Sequence, residues 1–148
     1  MAYWMTFWKL IDVGLGDPDE LARRIDGMSE HDLVEFYWTY EECAADLKDE
    51  EFLRYVSPPR TEDYVDDLAQ WVVAQGLGYY EDIMMQPAKI PPELPLGATV
   101  SPWTGLVSLV YRQRYNAPVR FREDPPPGQS FDDHPSCRSA RLEGPTTA

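Results

Sequence analysis

The sequence predicts an all-α protein, one helical domain of five to seven helices over residues 1–115 followed by a flexible Pro-rich tail over residues 116–148. Three observations lead there. Apolar residues recur with a period of 3.6 through the first 92 residues. Four of the runs open on a capping residue or a cap followed by proline: Asp17-Pro18, Ser29, Thr61 and Ser101-Pro102. Beyond Pro87 the composition shifts to proline, glycine and small polar residues, which do not sustain a core.

In the first run, Trp4, Phe7, Trp8 and Ile11 fall on one face, predicting a helix over Tyr3–Val13 that Gly14 and Gly16 stop. Asp17-Pro18-Asp19-Glu20 then starts a second helix. Asp17 is placed to cap, Pro18 suits the first helical position, and Glu20 stands where a capping box wants a carboxylate. This helix buries Leu21, Ile25 and Met28, keeps Arg23 and Arg24 in a last turn that favours cations, and closes at Gly27.

Ser29 caps the third and longest helix, with Asp32 as its box partner. Leu33, Phe36, Tyr37, Tyr40, Cys43, Ala44 and Leu47 form its core stripe, so Cys43 reads as a small core residue. A second apolar patch of Val34, Trp38 and Ala45 lies beside Glu41 and Glu42. Phe52, Leu53 and Val56 mark a short fourth helix stopped by Ser57-Pro58-Pro59.

Thr61 caps the fifth helix, and Glu62 and Asp63 place negative charge at its positive end. Val65, Leu68, Ala69, Trp71, Val72 and Val73 fill an arc wide enough for neighbours on two sides. Gly76 and Gly78 suit a left-handed closure, after which Tyr79, Tyr80, Ile83 and Met84 restart the period until Pro87. Pro91, Pro92, Pro95 and Gly97 make an extended connection. Ser101-Pro102 starts a last element through Leu106, Val107, Leu109, Val110 and Tyr111, a helix to about Tyr115 or, given its β-branched content, a strand. From Val119 onward a mobile tail is expected.

Residues 1–92 carry seven Lys and Arg against 20 Asp and Glu, whereas residues 93–148 carry six of each. The whole net charge of −13 therefore sits in the helical part. Such a field repels phosphate backbones, which argues against nucleic acid and for a basic protein partner. No window approaches the ~20 apolar residues of a membrane span, and the N-terminus lacks the pattern of an export signal. Cys43 and Cys137 have no zinc-ligand spacing, so a reducing cytoplasm is the expected setting, with one long-range disulfide as the alternative.

Phe7-Trp8-Lys9-Leu10-Ile11-Asp12, Met28-Ser29-Glu30-His31-Asp32-Leu33, and Glu62-Asp63 followed by Trp71-Val72-Val73-Ala74-Gln75-Gly76 resemble the bacterial domain of unknown function numbered four-two-four-zero over about residues 1–92. That family has an FWxLID-like start, an LSxEE-like helix opening, and an acidic pair before a WLIxQG-like helix end. The chain departs from it at Pro58-Pro59-Arg60-Thr61, where the family has a Gly-Cys-Ser-like stretch, and at Ala69, where it has arginine. The resemblance implies a regulatory or interaction role and singles out Glu62 and Asp63.

Raw material for catalysis is thin. His31 beside Asp32 is the one candidate base, Ser29 is committed to its cap, and no nucleophile-elbow, Walker or dinucleotide pattern occurs. Glu42, Asp46, Asp49, Glu50 and Glu51 offer oxygens of the kind a hard cation takes, but they lack EF-hand spacing and a loop glycine; no metal or cofactor is expected. The expected role is non-catalytic binding of a basic protein, of the kind an immunity or antitoxin-like protein performs, through Val34, Trp38, Glu41 and Glu42. The alternatives are a small-molecule sensor with a pocket near Trp71 and Tyr80, and an enzyme using His31 and Asp32.

Overall fold

Seven α-helices and one 3-10 turn, with no strand, make up the described residues 2–98 and 103–128 of the computed structural model. The helices are α1 (Ala2–Gly16), α2 (Pro18–Asp26), α3 (Glu30–Asp46), α4 (Glu50–Leu53), α5 (Glu62–Ala74), α6 (Leu77–Met85) and α7 (Trp103–Tyr115); the 3-10 turn is Pro87–Lys89. Five to seven helices were expected, and the last element, open between helix and strand, is a helix. The proposed Ser101-Pro102 start lies outside the described residues, as do His134, Cys137 and the tail expectation for residues 129–148.

Local chemistry sets most of the boundaries. Asp17, Ser29 and Thr61 accept the backbone N–H groups of Glu20, Asp32 and Tyr64 at 3.2, 3.1 and 3.2 Å. The capping box at α2 is only half made, because the Glu20 carboxylate turns away to Arg23 and Arg24 on the same helix, at 2.8 and 3.0 Å. Gly76 adopts φ 101°, the left-handed backbone that breaks α5 from α6.

Gly14 corrects the first boundary. It lies inside α1, which runs on to Gly16. A β-carbon at Gly14 would stand 2.6 Å from Leu21 Cδ2 and 3.1 Å from Trp103 Cζ2, so the glycine lets α2 and α7 approach. Alanine in a helix interior ordinarily gains about 1 kcal/mol over glycine. Here Gly14→Ala is expected to lose about 1–2 kcal/mol through overpacking, read as a lower melting temperature. A stabilised variant would mean that Leu21 rotates aside freely.

Helix α3 is the centre of the assembly, packing against α1, α5 and α7, while α2 lies between α1 and α7. Its core stripe is buried as expected at Leu33, Phe36, Tyr40, Cys43, Ala44 and Leu47. An aromatic cluster joins α1 to α3 and α6. Phe7 meets Trp8, Phe36 and Tyr40 with ring centroids 5.0, 5.3 and 5.9 Å apart, and Trp8 meets Tyr80 at 5.1 Å.

Buried polar groups knit the three central helices. Tyr40 donates its hydroxyl to the Gln70 carbonyl at 2.7 Å, while the Gln70 side chain donates to Glu41 and accepts from Thr104. Burial pushes the Cys43 thiol up to about 12, which leaves it protonated and unreactive in the core. No helix among the described residues is long and apolar enough to cross a membrane.

The tail expectation needs correction over its first part. Asn116, at φ 53°, turns the chain out of α7, and Val119–Asp124 returns across the molecule to lie on α3. Composition argued for free chain here because only two large apolar residues, Val119 and Phe121, occur. The largely buried pair of Arg120 with Glu30 and the stacking of Phe121 on Trp38 dock it, with rim contacts from Arg122.

Candidate partner-binding face

Residues three, four and seven apart on a helix share a face. Glu35, Trp38, Thr39 and Glu42 do so on α3, with Glu30 at its N-terminal end and Asp46 one turn beyond Glu42. The strap Val119–Asp124 runs along this row, and three consecutive side chains seat on it. Arg120 forms a forked pair with Glu30, Nε to Oε2 at 2.7 Å and Nη2 to Oε1 at 3.0 Å. Phe121 stacks on Trp38 at 5.1 Å between ring centroids and 25° between planes. Arg122 reaches Glu42 at 2.8 Å, Glu35 at 3.3 Å and the Thr39 hydroxyl at 3.1 Å.

The two arginines are energetically unlike. Arg120 and Glu30 are only 13% and 15% exposed, and Tyr111 donates a third hydrogen bond to the same carboxylate at 2.6 Å. Burial raises the Glu30 carboxyl, yet the hydrogen bonds from Arg120 and Tyr111 outweigh it and hold the group below its ordinary value. The outer Nη1 of Arg120 donates to the carbonyls of Phe121, Arg122 and Asp124, so one side chain both anchors the strap and shapes its turn. Arg122 and Glu42 lie on the wet rim, where an ion pair contributes about 1 kcal/mol or less.

The four residues expected to form the binding surface are split by the fold. Trp38 and Glu42 are on the strap face. Trp38 is half-buried beneath Phe121 and donates its indole N–H to the Arg120 carbonyl at 2.7 Å, so it is not an open anchor. Val34 is buried in the core, which removes it from any surface. Glu41 is half-buried, bonded by Gln70 of α5, and pushed upward first by burial and also by the Asp66 carboxylate. The residues that the sequence reading missed are Glu30, Glu35, Thr39 and the arginines that hold them. Their signal was present in the i, i+4, i+7 spacing of Glu35, Thr39 and Glu42 and in the Arg-Phe-Arg run.

The other candidates stand apart. Glu62 and Asp63 are exposed in the first turn of α5. His31 is exposed at the start of α3, and the Ser29 hydroxyl accepts the Asp32 N–H. Among the described residues no group of three His, Cys, Asp or Glu side chains is arranged to hold a metal ion.

Two clefts flank Tyr3, whose hydroxyl is buried without a hydrogen-bond partner and shifted upward by burial and then by the Asp32 and Glu35 carboxylates. One, about 620 Å³, lies between α1, α2 and the start of α3 and is lined by Leu10, Arg24, Met28 and Asp32. The other, about 360 Å³, continues the strap face past Arg122, between Trp4, Glu42, Cys43 and Asp46. Neither is lined by Trp71 or Tyr80, where a ligand pocket was expected. Trp71 instead packs edge-on to Tyr79, and Tyr80 belongs to the α1–α6 aromatic cluster. Comparison with protein-family models, with curated proteins and with solved structures finds no match for this chain.

Proposed function

We propose that the domain is a non-catalytic binding module whose α3 face takes an arginine-and-aromatic segment of a basic protein. The observation that carries this reading is the strap itself: Arg120, Phe121 and Arg122 occupy the face as a ligand would, each on its own seat. A forked arginine contact like that of Arg120 on Glu30 is the chemistry by which interfaces select arginine over lysine. A net charge of −13 would steer a cationic partner toward the face. Such a partner competes with a tethered segment whose effective concentration is of millimolar order, so its affinity must exceed that of the strap. A cationic toxin held by an acidic companion falls in this class, and the regulatory role implied by the family resemblance is compatible with it.

The test uses the full-length chain with Arg120→Ala, Phe121→Ala and Arg122→Ala, which empties the face. A labelled synthetic peptide spanning residues 117–128 is expected to bind this variant in trans and the unsubstituted chain far more weakly. Binding should fall several-fold between about 50 and about 500 mM salt, as screening shortens the reach of the rim charges. A helical variant that takes up no peptide at low salt would sink the reading.

A further inference from the structure

The strap leaves the acidic row of α3 before the row ends. Glu35 and Asp46 are 11 residues apart, about 16 Å along the helix at 1.5 Å per residue. Arg122 spans only Glu35 to Glu42. After Arg122 the chain curls back, with the Asp124 N–H bonded to the Phe121 carbonyl and the Asp124 carbonyl held by Arg120. Its next two side chains, Glu123 and Asp124, carry the charge that this face repels.

What the described residues leave open is the 360 Å³ cleft that Arg122 borders on one side and that Glu35, Glu42, Asp46 and Trp4 line with it. Asp46 stands in it with a long contact from the Tyr80 hydroxyl, 3.5 Å, and forms no ion pair with a described residue. Trp4, 37% exposed, forms its aromatic wall. A carboxylate facing an indole suits an ammonium or guanidinium group, which gains from both. The absence of metal-holding geometry among the described residues makes a side-chain cation the better fit than a metal ion.

We infer that this cleft is the subsite for a further basic side chain of the bound segment, so that the preferred ligand is Arg-aromatic-Arg continued by Lys or Arg where this chain has Glu123 and Asp124. The inference rests on the binding role proposed above. It makes the strap a deliberately incomplete self-ligand: it fills two acidic seats and the aromatic one, and a partner that also fills the third displaces it.

The experiment compares two peptides of residues 117–128, one of native sequence and one carrying E123R and D124R. Both are titrated into the full-length triple variant with the emptied face. The basic peptide is expected to bind about 10-fold tighter, the scale of one well-formed ion pair. Asp46→Asn should remove most of that gain and leave the native peptide unchanged, whereas Glu51→Gln, on α4, should leave the gain intact. Equal affinities, a gain that survives Asp46→Asn, or a gain lost equally with Glu51→Gln would overturn the subsite while leaving the binding role standing. If neither peptide binds, the binding role itself fails. Should the triple variant lose its helical circular dichroism, E123R and D124R are placed in the full-length chain instead, where they should raise the denaturation midpoint, a gain that Asp46→Asn removes and Glu51→Gln leaves; no gain, or one that survives Asp46→Asn, overturns the subsite.

Discussion

Arg120→Ala is expected to destabilise the protein by about 3 kcal/mol and to release the strap from α3. The substitution removes a forked pair in which both partners are largely buried, and it strands the Glu30 carboxylate with Tyr111 as its remaining donor. It also deletes the three bonds by which Arg120 holds the strap carbonyls. Arg120→Lys should recover only part of the loss, because an ammonium cannot supply the fork. Chemical denaturation gives the stability, and Trp38 fluorescence reports the departure of Phe121 from its ring.

The same pair makes strap docking sensitive to acid. The folded Glu30 carboxyl lies below its ordinary value of 4.5, so its contribution is fully present above that pH and is lost as pH falls through the lowered folded value. Strap release should therefore appear only in acid, and it should be absent from the Arg120→Ala profile. A loss near 0.5 kcal/mol for Arg120→Ala, with an unchanged pH profile, would show that the fork contributes little beyond a surface pair.

Phe7→Ala is expected to cost about 4 kcal/mol, a large fraction of the 5–15 kcal/mol that holds a domain of this kind together. Phe7 is fully buried and touches rings on both its own helix and α3, so its removal leaves a cavity bounded by Trp8, Phe36 and Tyr40. Those rings are held by their own packing and cannot collapse into the space without losing contacts elsewhere. For a chain of this length each kcal/mol lowers the melting temperature by roughly 2–4 °C, so a fall of about 10 °C is the expected reading. A fall of only about 2 °C would indicate that α1 reseats on α3.

The two substitutions probe different grades of information in the chain. Phe7 was legible as core because Trp4, Phe7, Trp8 and Ile11 repeat at the helical period, a relation that any one turn displays. Trp4 shows the margin of that reasoning: it shares the face, yet it sits at the edge of the cluster and keeps 37% of its surface open to the cleft. Gly14 shows a second margin. A glycine in a periodic run reads as a stop, whereas here it is a point of contact with Leu21 and Trp103, and Trp103 lies 89 positions away.

Trp38 and Val34 read together as a second apolar patch, to be covered by another helix or by a partner, because they lie off the main stripe of α3. Periodicity measures the angle of a residue about its own helix and says nothing of what covers that angle. Val34 is in the core, and Trp38 is covered by Phe121. The row of Glu35, Thr39 and Glu42 was equally visible in the spacing. Its function as a seat was not, because its ligand, Arg122, is contributed from 80 to 87 residues downstream.

By itself the sequence determined the helices before residue 86, the caps at Asp17, Ser29 and Thr61, the acidic character of the first 92 residues and the identity of most of the core. Those properties follow from interactions within a turn or two of the backbone, where capping hydroxyls, prolines and the 3.6 period act. Only the tertiary structure decided that Val119–Asp124 is a strap rather than free chain, that Glu30 is its anchor, and that the row on α3 runs on into a cleft that the described residues leave open. The physical reason is that ion pairs and ring stacks between distant segments depend on where the folded helices place them. An arginine in a proline-rich stretch carries no mark of the carboxylate it will meet.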